Sequence, residues 1–225
     1  MTHFSQRNAS LHTIFMQNLN AINSEIEITI LDIWWQDIAK RYSEPVRAYH
    51  TLVHLQQLFD QFEQLQVKLK QPPIVALALF YHDVIYDPKR GDNELRSAEY
   101  ASEVLSEYLS VKQVERIYTL ILMTADHQLH DVDNDNTNDS DSDAAYLLDM
   151  DLSVLGSSWS DYERYAKAVR HEYAHVAEMD YRLGRTNVLQ GLLAHPRLYV
   201  TDYYYQRLET QARENIEREI IALAT

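Results

Sequence analysis

The chain has 225 residues, 46% of them hydrophobic and 24% charged, with only 4 glycines and 5 prolines. That is enough apolar material for a full core, which excludes wholesale disorder, and too few turn-forming residues for a sheet-rich fold. Cysteine is absent and the formal net charge is −14, which excludes disulfides, thiolate metal sites and cysteine nucleophiles and makes a nucleic-acid polymer an unfavourable partner.

Length alone allows one or two domains. The first residues lead into no apolar run long enough for a signal peptide or a membrane span, so a cytoplasmic protein with no membrane partner is the expectation. Helical spacing starts with Leu11, Ile14, Phe15, Leu19 and Ile22 and continues in a second segment from Ile26 to Ala39. Pro45 interrupts it. A third stripe follows, with Leu52, Leu55, Leu58, Phe59, Phe62 and Leu65, stopped by Pro72 and Pro73. Pro73 suits the first turn of a fourth helix, from Ile74 to about Ile85, which is apolar nearly all round and so expected at the centre.

After a loop at Pro88 and Gly91, Asp92 is the expected N-cap of a helix carrying Leu95, Ala98, Ala101, Val104, Leu105 and Tyr108. Val114, Ile117, Leu120 and Ile121 give another helix. A polar tract then holds Asp131, Asp133, Asp135, Asp139, Asp141 and Asp143 with no Lys or Arg. It lacks the Gly and terminal Glu of a calcium loop and reads as an acidic, flexible surface loop over about 131–143. Ala144–Leu155 ends at Gly156, a helix is expected from about Ser160 to Glu178, and two more are expected over about Thr186–Ala194 and Tyr203–Ala222. With no lasting strand alternation, no repeat and no linker, residues 1–225 read as one all-α domain.

With no thiolate, any metal must be held by His and carboxylates. Two words stand out: His50-Thr-Leu-Val-His54, whose imidazoles are one helical turn apart, and Tyr81-His82-Asp83 near the end of the apolar helix. Further on, Thr124-Ala-Asp-His127 ends a helix, and Leu147-Leu-Asp149-Met-Asp151-Leu sets two carboxylates among apolar residues, where burial demands a partner or an ion. Singly, each also fits a bland role as a cap, an ion pair or a satisfied core residue.

In order, His54, His82-Asp83 and a distant Asp151 in an all-α chain resemble the HD superfamily of metal-dependent phosphohydrolases. The surrounding words carry the likeness further: Phe80-Tyr81-His82-Asp83-Val-Ile-Tyr86, Asn93-Glu94…Ser97-Ala98, Leu148-Asp149-Met-Asp151-Leu-Ser-Val-Leu-Gly156, Tyr181…Gly184-Arg185 and Glu209…Ala212-Arg213-Glu-Asn215. They look like the branch known only as predicted HD phosphohydrolases, over about Arg41 to Glu219, and the acidic tract is a departure that spares every motif.

The resemblance implies an HD-like helical bundle with His54, His82, Asp83 and Asp151 as metal ligands and Asp149 as the alternative to Asp151. It implies His50 beside the metal or at a phosphate, and His127 near a second metal or the substrate. Glu94 follows the doublet closely enough to orient an attacking water or assist proton transfer, or else simply to place charge in a helix's first turn. Two imidazoles with two carboxylates suit one or two ions of Mn, Fe, Co, Ni or Zn, with Mg also admissible. Lys89, Arg90 and Arg96 are candidate phosphate contacts; Arg170, Arg185 and Arg213 are too, although ion pairs account for them better. The expected activity is metal-activated hydrolysis of a phosphate ester or phosphoanhydride, on a nucleotide or another small phosphorylated metabolite. A non-catalytic metal- or ligand-binding module and a purely structural helical protein are the alternatives.

Overall fold

A computed structural model describes residues 3–129 and 141–225. Asp131, Asp133, Asp135 and Asp139 of the acidic tract lie outside the described residues. Every element among the described residues is helical, so the expected all-α class holds. No helix of these residues is long and apolar enough to cross a membrane. The chain forms two compact units that meet between Leu147 and Leu148. That boundary falls inside one unbroken helix and not in a linker.

The first unit holds α1 (His3–Ile22), α2 (Ile28–Arg41), α3 (Leu52–Leu65), α4 (Pro72–Tyr81), α5 (Asn93–Leu105) and α6 (Val111–Met123). Helix α4 is its centre. Every residue from Ile74 to Tyr81 is buried, and α1, α3, α5 and α6 all pack on it. An all-apolar helix has no face to give to water, so it is stable only when surrounded. Phe80, fully buried, stacks on Phe59 at 4.2 Å and meets Phe15 and Trp35 edge-on at 5.1 and 6.0 Å. Such an aromatic knot fixes how α1, α2 and α3 stand around α4.

Helix α7 (Ser142–Leu152) starts in this unit. The flexible loop expected over about 131–143 therefore needs correcting at its end. Asp143 is 3% exposed, and its two oxygens accept from Lys70 N at 2.7 Å and Gln71 N at 2.8 Å. Asp141 pairs with Arg116. Gln71 is the N-cap of α4, and the prolines that follow have no N–H. Asp143 thus supplies the anionic partner that this helix start calls for.

The second unit holds the end of α7, a 3-10 turn (Ser153–Gly156), α8 (Trp159–Glu172), α9 (Glu178–Ala194) and α10 (Asp202–Leu223). The turn packs on α10 so closely that a Cβ on Gly156 would lie 2.5 Å from Leu208 Cβ. Two helix bounds differ from the sequence reading: α8 stops at Glu172, short of Glu178, and α9 begins at Glu178, well before Thr186. The cause is Arg170, whose guanidinium donates to Tyr173 O at 2.7 Å and Val176 O at 3.3 Å and pairs with Glu178. The chain leaves the helix where this side chain takes the carbonyls just past its last turn. Arg213 does the same past the end of α9, donating to Leu193, His195 and Pro196 carbonyls while pairing with Glu209 at 2.7 Å. Arg185 forms a two-pronged, nearly buried pair with Glu219, which also accepts from Tyr162. All three arginines are thus occupied in structural contacts, as ion pairing had suggested.

Candidate metal centre

His54 sits in the first turn of α3, fixed by Thr51, whose side chain accepts from Val53 N. His82 caps the C-terminus of α4, and Asp83 follows it. The expected helix to Ile85 ends four residues sooner, at Tyr81. Outside partners take the backbone groups instead. Ser97 Oγ accepts from Ile85 N at 3.0 Å and donates to Ile85 O at 3.2 Å. Asn93 bonds both the N–H and the carbonyl of Asp87, each at 3.0 Å. Asn93 and Ser97 of the sequence words thus hold the loop that follows the doublet.

Both imidazoles are 2% exposed, their rings stand 5.5 Å apart, and each can offer a ligand nitrogen within 4.8 Å of the other. His82 Nδ1 lies 2.8 Å from Leu79 O. A carbonyl can only accept, so Nδ1 carries a proton and leaves Nε2 as the nitrogen that faces the cluster. That Nε2 is 3.0 Å from Asp83 Oδ2. Two electron-pair donors so close require a shared proton or a shared cation between them, and neighbouring ligands at about 2.1 Å from one ion stand about 3 Å apart. His54 and His82 are thus two buried imidazoles that could each offer a nitrogen to one metal ion, and Asp83 Oδ2 lies beside His82.

His50 lies at the rim, 22% exposed, with Nε2 4.0 Å from Asp83 Oδ2 and its ring against Tyr86 at 4.3 Å. Tyr49 covers His54 at 4.7 Å. The structure therefore brings together His50, His54, His82 and Asp83 of the expected residues. Glu94 occupies the first turn of α5, half-buried. His127 follows α6 with a left-handed backbone, φ 54°, a conformation that few residues other than glycine adopt. Asp151 lies half-buried on the last turn of α7, in the second unit.

Asp149, the alternative to Asp151, has other work. It is fully buried, and its oxygens accept from Val200 N, Thr201 N and Thr201 Oγ1 at 2.7, 2.7 and 2.5 Å. Burial pushes its carboxyl up to about 6, against the pull of those donors. Asp92 occupies the expected N-cap position of α5, yet its side chain makes no cap hydrogen bond. Arg90 and Arg96 take its carboxylate at 2.7 and 2.9 Å and hold it well below the usual carboxylate range. Both candidate phosphate cations are therefore engaged by Asp92, while Lys89 is exposed.

Sequence reading missed Arg47 and Tyr42. Arg47 Nη1 donates to Asp83 O and His50 O, Nη2 donates to Val84 O, and Tyr42 Oη accepts from Asp83 N at 3.3 Å. The only signal was an arginine between Pro45 and His50 in a stretch too short for a helix. No family model, no curated protein and no solved structure matches the chain.

Proposed function

We propose that the protein is a metal-dependent phosphohydrolase that cleaves a phosphate ester or phosphoanhydride of a small metabolite, such as a nucleotide. His54, His82, Asp83 and Asp151 are its proposed ligand set. The observation that carries this reading is the pair His82 Nε2 and Asp83 Oδ2 at 3.0 Å, with the proton of His82 held on the far nitrogen by Leu79 O. Asp151 enters through the sequence resemblance, and Asp149 is spoken for by Val200 and Thr201.

The donor set fits a borderline divalent ion of Mn, Fe, Co, Ni or Zn; Mg is admissible, although two imidazole nitrogens are more than this oxygen-seeking ion prefers. Bound there, the ion supplies Lewis acidity, lowering the pKa of water and offsetting charge on a phosphoryl oxygen. The chain does the rest. Leu79 O keeps the His82 lone pair aimed, because it holds the ring in one tautomer. Two carboxylates, Asp83 and Asp151, balance the charge of a divalent ion against two neutral imidazoles. His50, its ring braced by Tyr86, stands at the rim where a phosphoryl oxygen enters. Glu94 is assigned to orienting the attacking water and His127 to the substrate or a second ion.

A screen of Mn-, Co-, Zn- and Mg-loaded protein against nucleotides and phosphomonoesters tests the reading, with His82→Ala as the control. Turnover that follows metal occupancy and vanishes in the variant supports it. Stoichiometric metal with no turnover on any substrate favours the non-catalytic binding module.

A further inference from the structure

Helix α4 ends at Tyr81, and the carbonyls of the turn that follows need partners from outside the helix. Arg47 reaches them from the segment between α2 and α3. Nη1 donates to Asp83 O at 2.8 Å and His50 O at 3.1 Å, and Nη2 to Val84 O at 3.1 Å. Its side chain is 0% exposed, and Glu44, which accepts from Nε at 3.4 Å, is 43% exposed. The Tyr42 and Tyr86 rings lie 4.9 and 5.3 Å from its Cζ. A guanidinium without solvent needs its donors satisfied, and here backbone oxygens take both Nη atoms while Glu44 takes Nε.

We infer that Arg47 is a positioning residue that sets the spacing of the candidate centre. One buried guanidinium clamps the turn carrying His82 and Asp83 to the turn that carries His50 and leads into His54. It touches neither ion nor substrate, because its donors point into the protein and none of its side chain meets solvent. Arg170 and Arg213 also close helix ends, but each leans on a carboxylate at 2.7–3.1 Å and joins no pair of candidate ligand segments. A lysine cannot substitute, since a single ammonium on a flexible stem cannot span carbonyls on two turns as a planar fork does. The consequence for metal affinity rests on the reading above; the clamp itself does not.

The test uses the full chain with Arg47→Lys, or Arg47→Gln if the lysine variant does not fold, beside Ile121→Val as a mildly destabilised control buried in α6. Crystal structures of metal-free protein give the His54–His82 ring separation, and Co2+ titration gives affinity. The expected result is a separation widened from 5.5 Å, by about 1 Å or more. Affinity is expected to fall about 10–100-fold in the Arg47 variant and to stay unchanged in Ile121→Val. An unchanged separation overturns the inference, as does an affinity loss no larger than that of the control. If the wild-type chain takes up no Co2+, the metal reading fails, and the ring separation alone still decides the role of Arg47.

Discussion

Asp143 closes a polar tract that reads as dispensable, yet its carboxylate lies at the start of the central helix. Asp143→Ala removes two acceptors, one for Lys70 N at 2.7 Å and one for Gln71 N at 2.8 Å. Hydrogen bonds to a charged group contribute about 1.5–3 kcal/mol each, so the pair sets an upper range of roughly 3–6 kcal/mol. Lys70 and Gln71 are exposed, so water reaches the stranded amides and brings the expected loss to about 2–4 kcal/mol. For a chain of this size that is a fall in Tm of roughly 5–15 °C. Asp141→Ala is the internal comparison. It loses a half-exposed ion pair with Arg116 and a bond to Ala144 N at 3.2 Å, about 1–2 kcal/mol in all. Thermal unfolding followed by circular dichroism measures both. A Tm for Asp143→Ala within about 1 °C of wild type, or above that of Asp141→Ala, would refute the assignment of Asp143 as the anchor of α4.

Three further outcomes follow from local contacts. Gly156→Ala places a Cβ 2.5 Å from Leu208 Cβ and 2.9 Å from Leu208 O, and the displacement of α10 should lower stability by about 1–3 kcal/mol or more in urea unfolding. Asp149→Ala should lower the urea midpoint by stranding Val200 N and Thr201 N, while leaving metal content at the wild-type level as measured by elemental analysis. Burial raises the phenols of Tyr81, Tyr162 and Tyr199 above their ordinary value and that of Tyr181 to about 12. The native state then holds protons that the unfolded chain releases near pH 10. Stability is therefore complete below about pH 10 and is lost as pH rises toward the native values. Tyrosinate absorbance and circular dichroism should change together, and full ionisation near pH 10 with helicity intact would contradict this.

The helices were legible because apolar spacing and prolines are local signals. The all-apolar run Ile74–Tyr81 had to be the centre, and Pro72 and Pro73 had to open it. The ends of α4 and α8 were not legible. Each stops where an arginine takes carbonyls past the last turn, Arg47 for α4 and Arg170 for α8, and such contacts leave no periodic trace. The same limit hid Asp143, whose partners lie 72 and 73 residues away in sequence. At the candidate centre, His54 and His82-Asp83 were legible through their order along the chain and the words around them, since singly each also fits a bland role. Asp149 and Asp151 could not be told apart, since two carboxylates in one short helix differ only in what the fold sets opposite each. Arg90 and Arg96 read as free cations until Asp92 was seen between them.

The most direct test of the central claim is equilibrium metal binding by the purified chain, with Mn2+, Co2+ and Zn2+ titrated in turn into apo-protein and into Asp83→Ala. The wild-type chain is expected to bind one or two ions and Asp83→Ala to lose that binding, with both proteins equally helical. Absence of stoichiometric binding in the wild type, or undiminished binding in Asp83→Ala, would contradict the claim.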